Sequence, residues 1–218
     1  MAEVLERICV DTTQALAASG AGLSVILASG LHGMSVASDT AAARVEELQF
    51  TFGEGPCIDA FATGRPVLVS DVAEQATGRW PVYAPAVRQL GVCAVFAFPL
   101  QVGAARLGVL DVFRDRPGPL SRAELGQAFM LAEQAVLALL DGQERDGSHG
   151  QATPGWSDVF ERRAELFQAQ GMVMVQLGIP LTDALTRIRA HAYATSRSVR
   201  EVAADIVARR LRFDTDDT

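Results

Sequence analysis

The 218-residue sequence is 49% hydrophobic and 21% charged, a balance that fits one ordinary globular domain plus one small one. No apolar run reaches the ~18–20 residues of a membrane span, and the charged, amphipathic start is unlike a signal peptide, so a cytoplasmic location and no membrane partner are expected. All 19 basic residues are arginine, and lysine and asparagine are both missing, which excludes a Walker-type phosphate lysine and a Schiff-base mechanism.

The net charge of −7 is unevenly placed. Residues 1–150 carry 10 Arg against 17 Asp and Glu, a net of −7, whereas residues 151–213 carry 9 Arg against 6 acids, a net of +3. The last five residues, 214–218, add three acids. A small basic module on an acidic carrier is the arrangement to explain. Cys9, Cys57 and Cys93 are too widely spaced for a disulfide framework or C-x-x-C metal spacing and read as buried reduced thiols. His32, His149 and His191 are scattered, so no metal site is expected.

In chain order, residues 2–18 place Val4, Leu5, Ile8, Cys9, Thr12 and Leu16 at helical spacing. Apolar runs at 21–28 and 33–37 around Ser29-Gly30 predict a hairpin. Residues 40–49 read as a helix and 65–71 as a short strand. Two stronger strands follow at 92–100 and 107–114, turning at Val102-Gly-Ala-Ala. Ser121-Arg-Ala-Glu124 is a capping box that opens a long helix to about Leu140. An antiparallel sheet with flanking helices, an α+β domain over residues 1–141, is the result. Residues 142–155 are polar and glycine-rich and read as a flexible linker. Three helices without strands then form an all-α module over 156–213, ahead of the acidic tail 214–218. The first, 158–177, is closed by Gly178 and Pro180; Thr182 caps a second that runs to about Tyr193; and the capping box Ser198-Val-Arg-Glu201 opens the third. A module this small is only marginally stable alone.

Within Glu47-Leu-Gln-Phe-Thr-Phe-Gly-Glu-Gly-Pro-Cys57, two glycines flank Glu54 ahead of a proline, which makes a tight loop leading into a helix at Ile58. The spacing is not that of a dinucleotide or P-loop fingerprint. Glu54, Asp59 and Asp71 are carboxylates without an accompanying nucleophile–base or metal arrangement, so no catalytic residue and no enzymatic activity are expected. This loop, Gly64-Arg-Pro-Val and Leu107-Gly-Val-Leu-Asp-Val-Phe resemble a GAF domain of the actinobacterial type, over roughly residues 3–141. The resemblance implies a six-stranded antiparallel sheet with a ligand cavity between the sheet and the segments 50–57 and 79–92. Phe50, Phe52, Trp80, Tyr83 and Phe96 are the candidate lining for a small-molecule ligand. The cysteine attachment pattern of phytochrome-type relatives is missing, so no chromophore or other cofactor is expected.

The segment Gln168-Ala-Gln-Gly-Met-Val-Met174, with Ala184, Ile188-Arg189, Ala192, Ser196-Arg197 and Val199-Arg-Glu-Val-Ala203, resembles an ANTAR domain across residues 157–210. That family binds paired RNA stem-loops in nascent transcripts and so prevents termination. Ala169, Gly171, Ala184, Ala192 and Ala203 are small enough to let helices approach, and Met172, Val173 and Met174 read as core. Left for the surface are Gln170, Arg189, Tyr193, Ser196, Arg197 and Arg200, the candidate RNA-binding residues. Arginine can fork onto phosphate, and arginine or tyrosine can stack on an unpaired base. The family typically has lysine at the position of Gln170 and asparagine at that of Ser196.

Together these features predict a transcription antitermination regulator, RNA-binding through its helical module under control of the sensor domain. A homodimer is expected through Leu125, Phe129, Ala132, Val136 and Leu140 on the long helix, a face that could equally cover its own sheet. The alternative is a protein-binding regulator whose RNA binding is lost or weak.

Overall fold

The computed structural model describes residues 1–26, 32–149 and 154–214. The chain divides into two compact units, Met1–Phe50 with Glu54–Trp156, and Ser157–Thr218 with Thr51–Gly53. The first begins with α1 (Ala2–Ala15), β1 (Gly20–Ile26), β2 (His32–Ala37), α2 (Thr40–Phe52) and α3 (Pro56–Thr63). It continues with β3 (Val67–Val69), α4 (Val72–Gln75), α5 (Tyr83–Gln89), β4 (Ala94–Val102), β5 (Ala105–Arg114) and α6 (Arg122–His149). The second unit is built from α7 (Pro154–Leu177), α8 (Leu181–Ala194) and α9 (Val199–Val207).

The sheet runs β2-β1-β5-β4-β3 with every neighbouring pair antiparallel. Five strands, rather than the six implied by resemblance, make it up among the described residues. The edge strand β3 is only three residues long, and Asp71 then accepts from the Ala73 and Glu74 amides, which starts α4 instead of another strand. The Ser29-Gly30 turn of the expected hairpin lies outside the described residues.

Strand alternation sorts side chains onto two faces. Leu23, Phe96, Phe98, Leu110 and Val112, all buried, lie on the face covered by α1 and α6, where Phe98 meets Phe129 edge-on at 5.5 Å. Burying each such side chain contributes about 1.5–3 kcal/mol. On the opposite face β1 presents Gly20, Gly22 and Ser24, small residues that let α2 approach closely. A Cβ at Gly22 would stand 2.5 Å from the Glu46 side chain.

In α1 the buried positions are Leu5, Ile8, Cys9 and Thr12, followed by Leu16, whereas Val4 points outward at 52% exposure. Arg114, at the end of β5, donates to the Leu16 carbonyl at 2.6 Å and pairs with Glu124 in the first turn of α6. The Ser121–Glu124 capping box is present in both directions. From there α6 buries Ala128, Leu131, Ala132, Ala135, Val136 and Leu139. The expected dimer stripe is thereby corrected: Ala132 and Val136 cover the chain's own sheet, and the exposed apolar side chains are Phe129, Met130 and Leu137. Among the described residues α6, over Arg122–Gly142, is the helix long and apolar enough to cross a membrane; 33% of that apolar window is buried, and Phe129, Met130 and Leu137 are exposed. The helix also passes its expected end at Leu140 and runs to His149, through residues read as linker. Gln143, Glu144 and Arg145 are good helix formers, and a glycine such as Gly142 or Gly147 costs a helix only about 1 kcal/mol. Residues 150–153 lie outside the described part of the chain.

The helical unit is held by Leu166, Ala169, Val173, Ala184, Leu185, Ile188, Ala192, Val199, Val202, Ala203 and Ile206, all buried. Met172 and Met174 are only half-buried beside Val173. Gly178, at φ +65°, ends α7, with the Ile179 amide donating back to the Met174 carbonyl at 3.2 Å. Pro180, not Thr182, is the N-cap of α8; the proline's fixed φ sets the entry, and Thr182 falls inside the first turn. The Ser198–Glu201 capping box opens α9. With no asparagine in the sequence, the left-handed positions that end α1, α8 and α9 fall to Ala17, Ser196 and Arg209, at φ +44°, +53° and +58°.

Candidate functional site

The structure divides the six candidate RNA-binding residues. Arg189 and Tyr193 stand four apart on one side of α8, Arg200 lies in the first turn of α9, and Ser196 and Arg197 form the turn between them. Tyr193 is 63% exposed, Arg200 is exposed and Arg189 is half-buried. Gln170 is a correction: it is 1% exposed, and its Nε2 donates to the Leu181 carbonyl at 3.0 Å, tying α7 to the start of α8. Docking of α8 closes over that position, so it cannot read a base.

Ser196 and Arg197 also have internal duties. The Ser196 amide donates to the Tyr193 carbonyl at 3.1 Å and the Arg197 amide to the Ala192 carbonyl at 2.9 Å, the bond pair that closes a helix through a left-handed residue. Asparagine adopts that conformation more readily than serine, so the backbone here favours an asparagine. The Arg197 guanidinium pairs with Asp205 at 2.5 Å and donates to the Glu201 carbonyl at 3.2 Å. Arg210 joins Asp205 at 2.7 Å, and the two arginines hold its carboxyl below the usual carboxylate range. What remains outward is the Tyr193 ring at the end of α8 and the exposed Arg200 at the start of α9. Exposed Arg187 and Arg209 add positive charge outside the motif, and the run Arg209-Arg-Leu-Arg212 is visible in the sequence.

In the sensor domain the five candidate lining residues are not brought together. Phe96 belongs to the opposite face of the sheet, beneath the Arg114 guanidinium, because the strand period of two turns it toward α1 and α6. Trp80 and Tyr83 pack edge-on at 6.1 Å, Phe50 is buried and Phe52 is half-buried. An open pocket of about 300 Å³ lies elsewhere, lined by residues including Gly20, Val45, Leu90, Val92 and Phe113, and contains none of the five.

The glycine-flanked loop instead organises a buried polar cluster. Glu54 accepts from the Val82 and Tyr83 amides, each at 2.7 Å, and so caps α5. Gly55, at φ +136°, leaves room for Gln49, whose Oε1 accepts from the Cys57 amide at 2.7 Å. Gln49 Nε2 donates to Asp111 at 3.2 Å, and Ser24 Oγ donates to Glu46 at 2.8 Å. Burial, then the neighbouring Glu46 charge, pushes the Asp111 carboxyl well above the usual carboxylate range; burial likewise raises the Cys57 thiol and the Tyr83 phenol. Of the carboxylates considered from sequence, none belongs to this cluster. Glu54 caps α5, Asp59 binds Arg79 and the Trp80 indole N–H, and Asp71 caps α4.

A GAF domain model matches residues 1–139, and an ANTAR domain model matches residues 158–207. Among solved structures, a domain of a two-component sensor histidine kinase protein from Sinorhizobium meliloti 1021 is similar at TM-score 0.56 and 21% identity, covering 67% of this chain and 96% of that one. The photoproduct-state GAF3 from Slr1393 of Synechocystis sp. PCC6803 is similar at TM-score 0.53 and 13% identity, covering 67% of this chain and 98% of that one. At these identities the likeness speaks for the fold of the first domain. No curated protein matches the chain. With a sensor-type sheet in front and a basic three-helix unit behind, the chain belongs to the GAF-domain family and carries a C-terminal ANTAR domain, the pairing of a sensor-regulated RNA-binding regulator.

Proposed function

We propose that the protein is a non-enzymatic, cytoplasmic antitermination regulator that binds tandem RNA stem-loops in nascent transcripts as a homodimer, with its GAF domain receiving the cue. The observation that carries this reading is Tyr193, 63% exposed at the end of α8 with Arg189 one turn before it and Arg200 just beyond. An outward ring on one helix and an exposed arginine at the start of the next suit splayed loop bases flanked by phosphates. The dimer reading is supported by Met130 and Leu137, 63% and 57% exposed and seven residues apart on α6, with Phe129 beside them. The second reading, a protein-binding regulator with weak RNA affinity, is favoured by one observation: Arg197 and Gln170 are both engaged inside the module.

A gel-shift titration with a tandem hexaloop stem-loop RNA, repeated across salt concentrations, tests the proposal. Losing one stacked base contact corresponds to about 1–3 kcal/mol, so Tyr193→Ala is expected to weaken binding roughly 5- to 150-fold. Arg200→Ala is expected to weaken it and flatten the salt dependence by about one unit of slope. Wild-type binding no tighter than to an unstructured RNA, or variants indistinguishable from wild type, would sink the RNA reading in favour of the protein-binding one.

A further inference from the structure

Glu46 on α2, Cys57 in the first turn of α3 and Asp111 on β5 bring one sulfur and two carboxylates to within 4.8 Å of one another, all three residues buried. Nearby stands a polar group that the domain's own hydrogen bonds leave unused. The Tyr83 hydroxyl is fully buried and has no hydrogen-bond partner, yet it lies within electrostatic reach of all three. A buried hydroxyl left unpaired costs about 1–3 kcal/mol, so an interior that assembles one beside two carboxyls and a thiol requires an explanation.

The surroundings are built to keep these groups together. A side chain at Gly22 would strike Glu46, and Gly55 is held at φ +136° so that Gln49 can reach the Cys57 amide. Ser24 and Gln49 each donate to one carboxylate, the outer hydrogen bonds that orient metal ligands in known sites. Glu54, by capping α5, fixes the backbone from which Tyr83 projects. Glu46, Cys57, Asp111 and Tyr83 come from four separate elements, α2, α3, β5 and α5.

We propose that this cluster is a binding site for a divalent transition-metal ion, Zn²⁺ by its donor set, with Glu46, Cys57 and Asp111 as ligands and a water in the fourth position, for which the unpaired Tyr83 hydroxyl is a hydrogen-bond partner. A thiolate disfavours Mg²⁺ and Ca²⁺, whereas two carboxylates and one thiolate suit a borderline ion. Tetrahedral zinc with bonds of 2.0–2.3 Å sets its ligand atoms roughly 3.3–3.7 Å apart, so closure asks for side-chain shifts of about 1 Å. The ion would take the place of the protons that burial otherwise keeps on Asp111 and Cys57, releasing them to solvent, and would join α2, α3 and β5 at a single point.

The test uses the full chain, stripped with chelator and reloaded. Inductively coupled plasma mass spectrometry after Zn²⁺ loading and gel filtration is expected to find one zinc per chain. Substitution with Co²⁺ is expected to give a thiolate-to-cobalt charge-transfer band. Cys57→Ser should remove that band and Asp111→Asn should lower zinc retention at least tenfold, while Cys93→Ser, a half-buried thiol outside the cluster, should change neither. Wild-type protein that retains no zinc, or a cobalt band that survives Cys57→Ser, would overturn the proposal and leave a cluster that holds protons only. The stoichiometry is read on wild type, so a variant that misfolds does not rescue the idea.

Discussion

Gln170 donates its Nε2–H to the Leu181 carbonyl at 3.0 Å from a side chain that is 1% exposed, so a residue that looks like an RNA reader is a strut between α7 and α8. Gln170→Ala removes that tie between α7 and α8 and the packing of a buried side chain in a small module, at a cost of about 0.5–3 kcal/mol. Chemical denaturation of the helical unit should show a lower midpoint, with RNA affinity of the still-folded protein unchanged. A loss of affinity without a loss of stability would return Gln170 to the RNA face.

Ser196 carries a left-handed backbone that an L-residue adopts at about 1–2 kcal/mol. Ser196→Gly removes that strain and adds back unfolded-state entropy, so a net gain of about 0.5–1 kcal/mol is expected. Ser196→Val should move the midpoint the other way. Equal stabilities for all three would mean that the turn is set by the Arg197 bonds alone.

Stability at acid pH should report on the cap of α6. Bonds from the Ser121 amide and hydroxyl, then Arg114, hold the Glu124 carboxyl at about 2 against an ordinary 4.5. Because the folded value is the lower one, this contribution is complete above pH 4.5 and is lost as the pH falls toward 2. Thermal melts of wild type and Glu124→Gln should therefore differ at neutral pH and converge through that window. Parallel curves would place the acid sensitivity elsewhere.

Close approach within the sheet makes two glycines unequal. A Cβ at Gly22 meets the Glu46 side chain at 2.5 Å, whereas one at Gly108 meets the Ser24 carbonyl oxygen, a backbone atom, at 2.1 Å. Gly22→Ala is expected to cost about 1–3 kcal/mol, the ordinary range for overpacking, and Gly108→Ala more, because a strand cannot swing aside. The order of the two melting temperatures checks this.

Features settled within four residues were legible in the sequence. Both capping boxes, at Ser121–Glu124 and Ser198–Glu201, and the Gly178 stop are local chemistry, and the structure has each of them. The side of the sheet that Phe96 occupies, the burial of Gln170 and the division of α6 into covered and exposed stripes depend on which neighbour docks where, and spacing alone does not carry that. Glu46 and Asp111 went unnoticed for a plainer reason: carboxylates are read as solvated by default, and only β5 pairing with β1 brings Asp111 opposite Gly22, under α2.

The length of α6 changes what its far end can be asked to do. Twenty-eight residues without a break make a rod of about 42 Å, and a helix conveys rotation as well as distance. Each residue inserted before His149 would turn the chain beyond it by about 100°, while seven would bring it back to within about 20° of its starting angle. Activity that survives a seven-residue insertion in the segment 142–149 and fails with three or four would mean that the angular phase of this helix is part of the signal. Equal tolerance of all three would mean that only its reach counts.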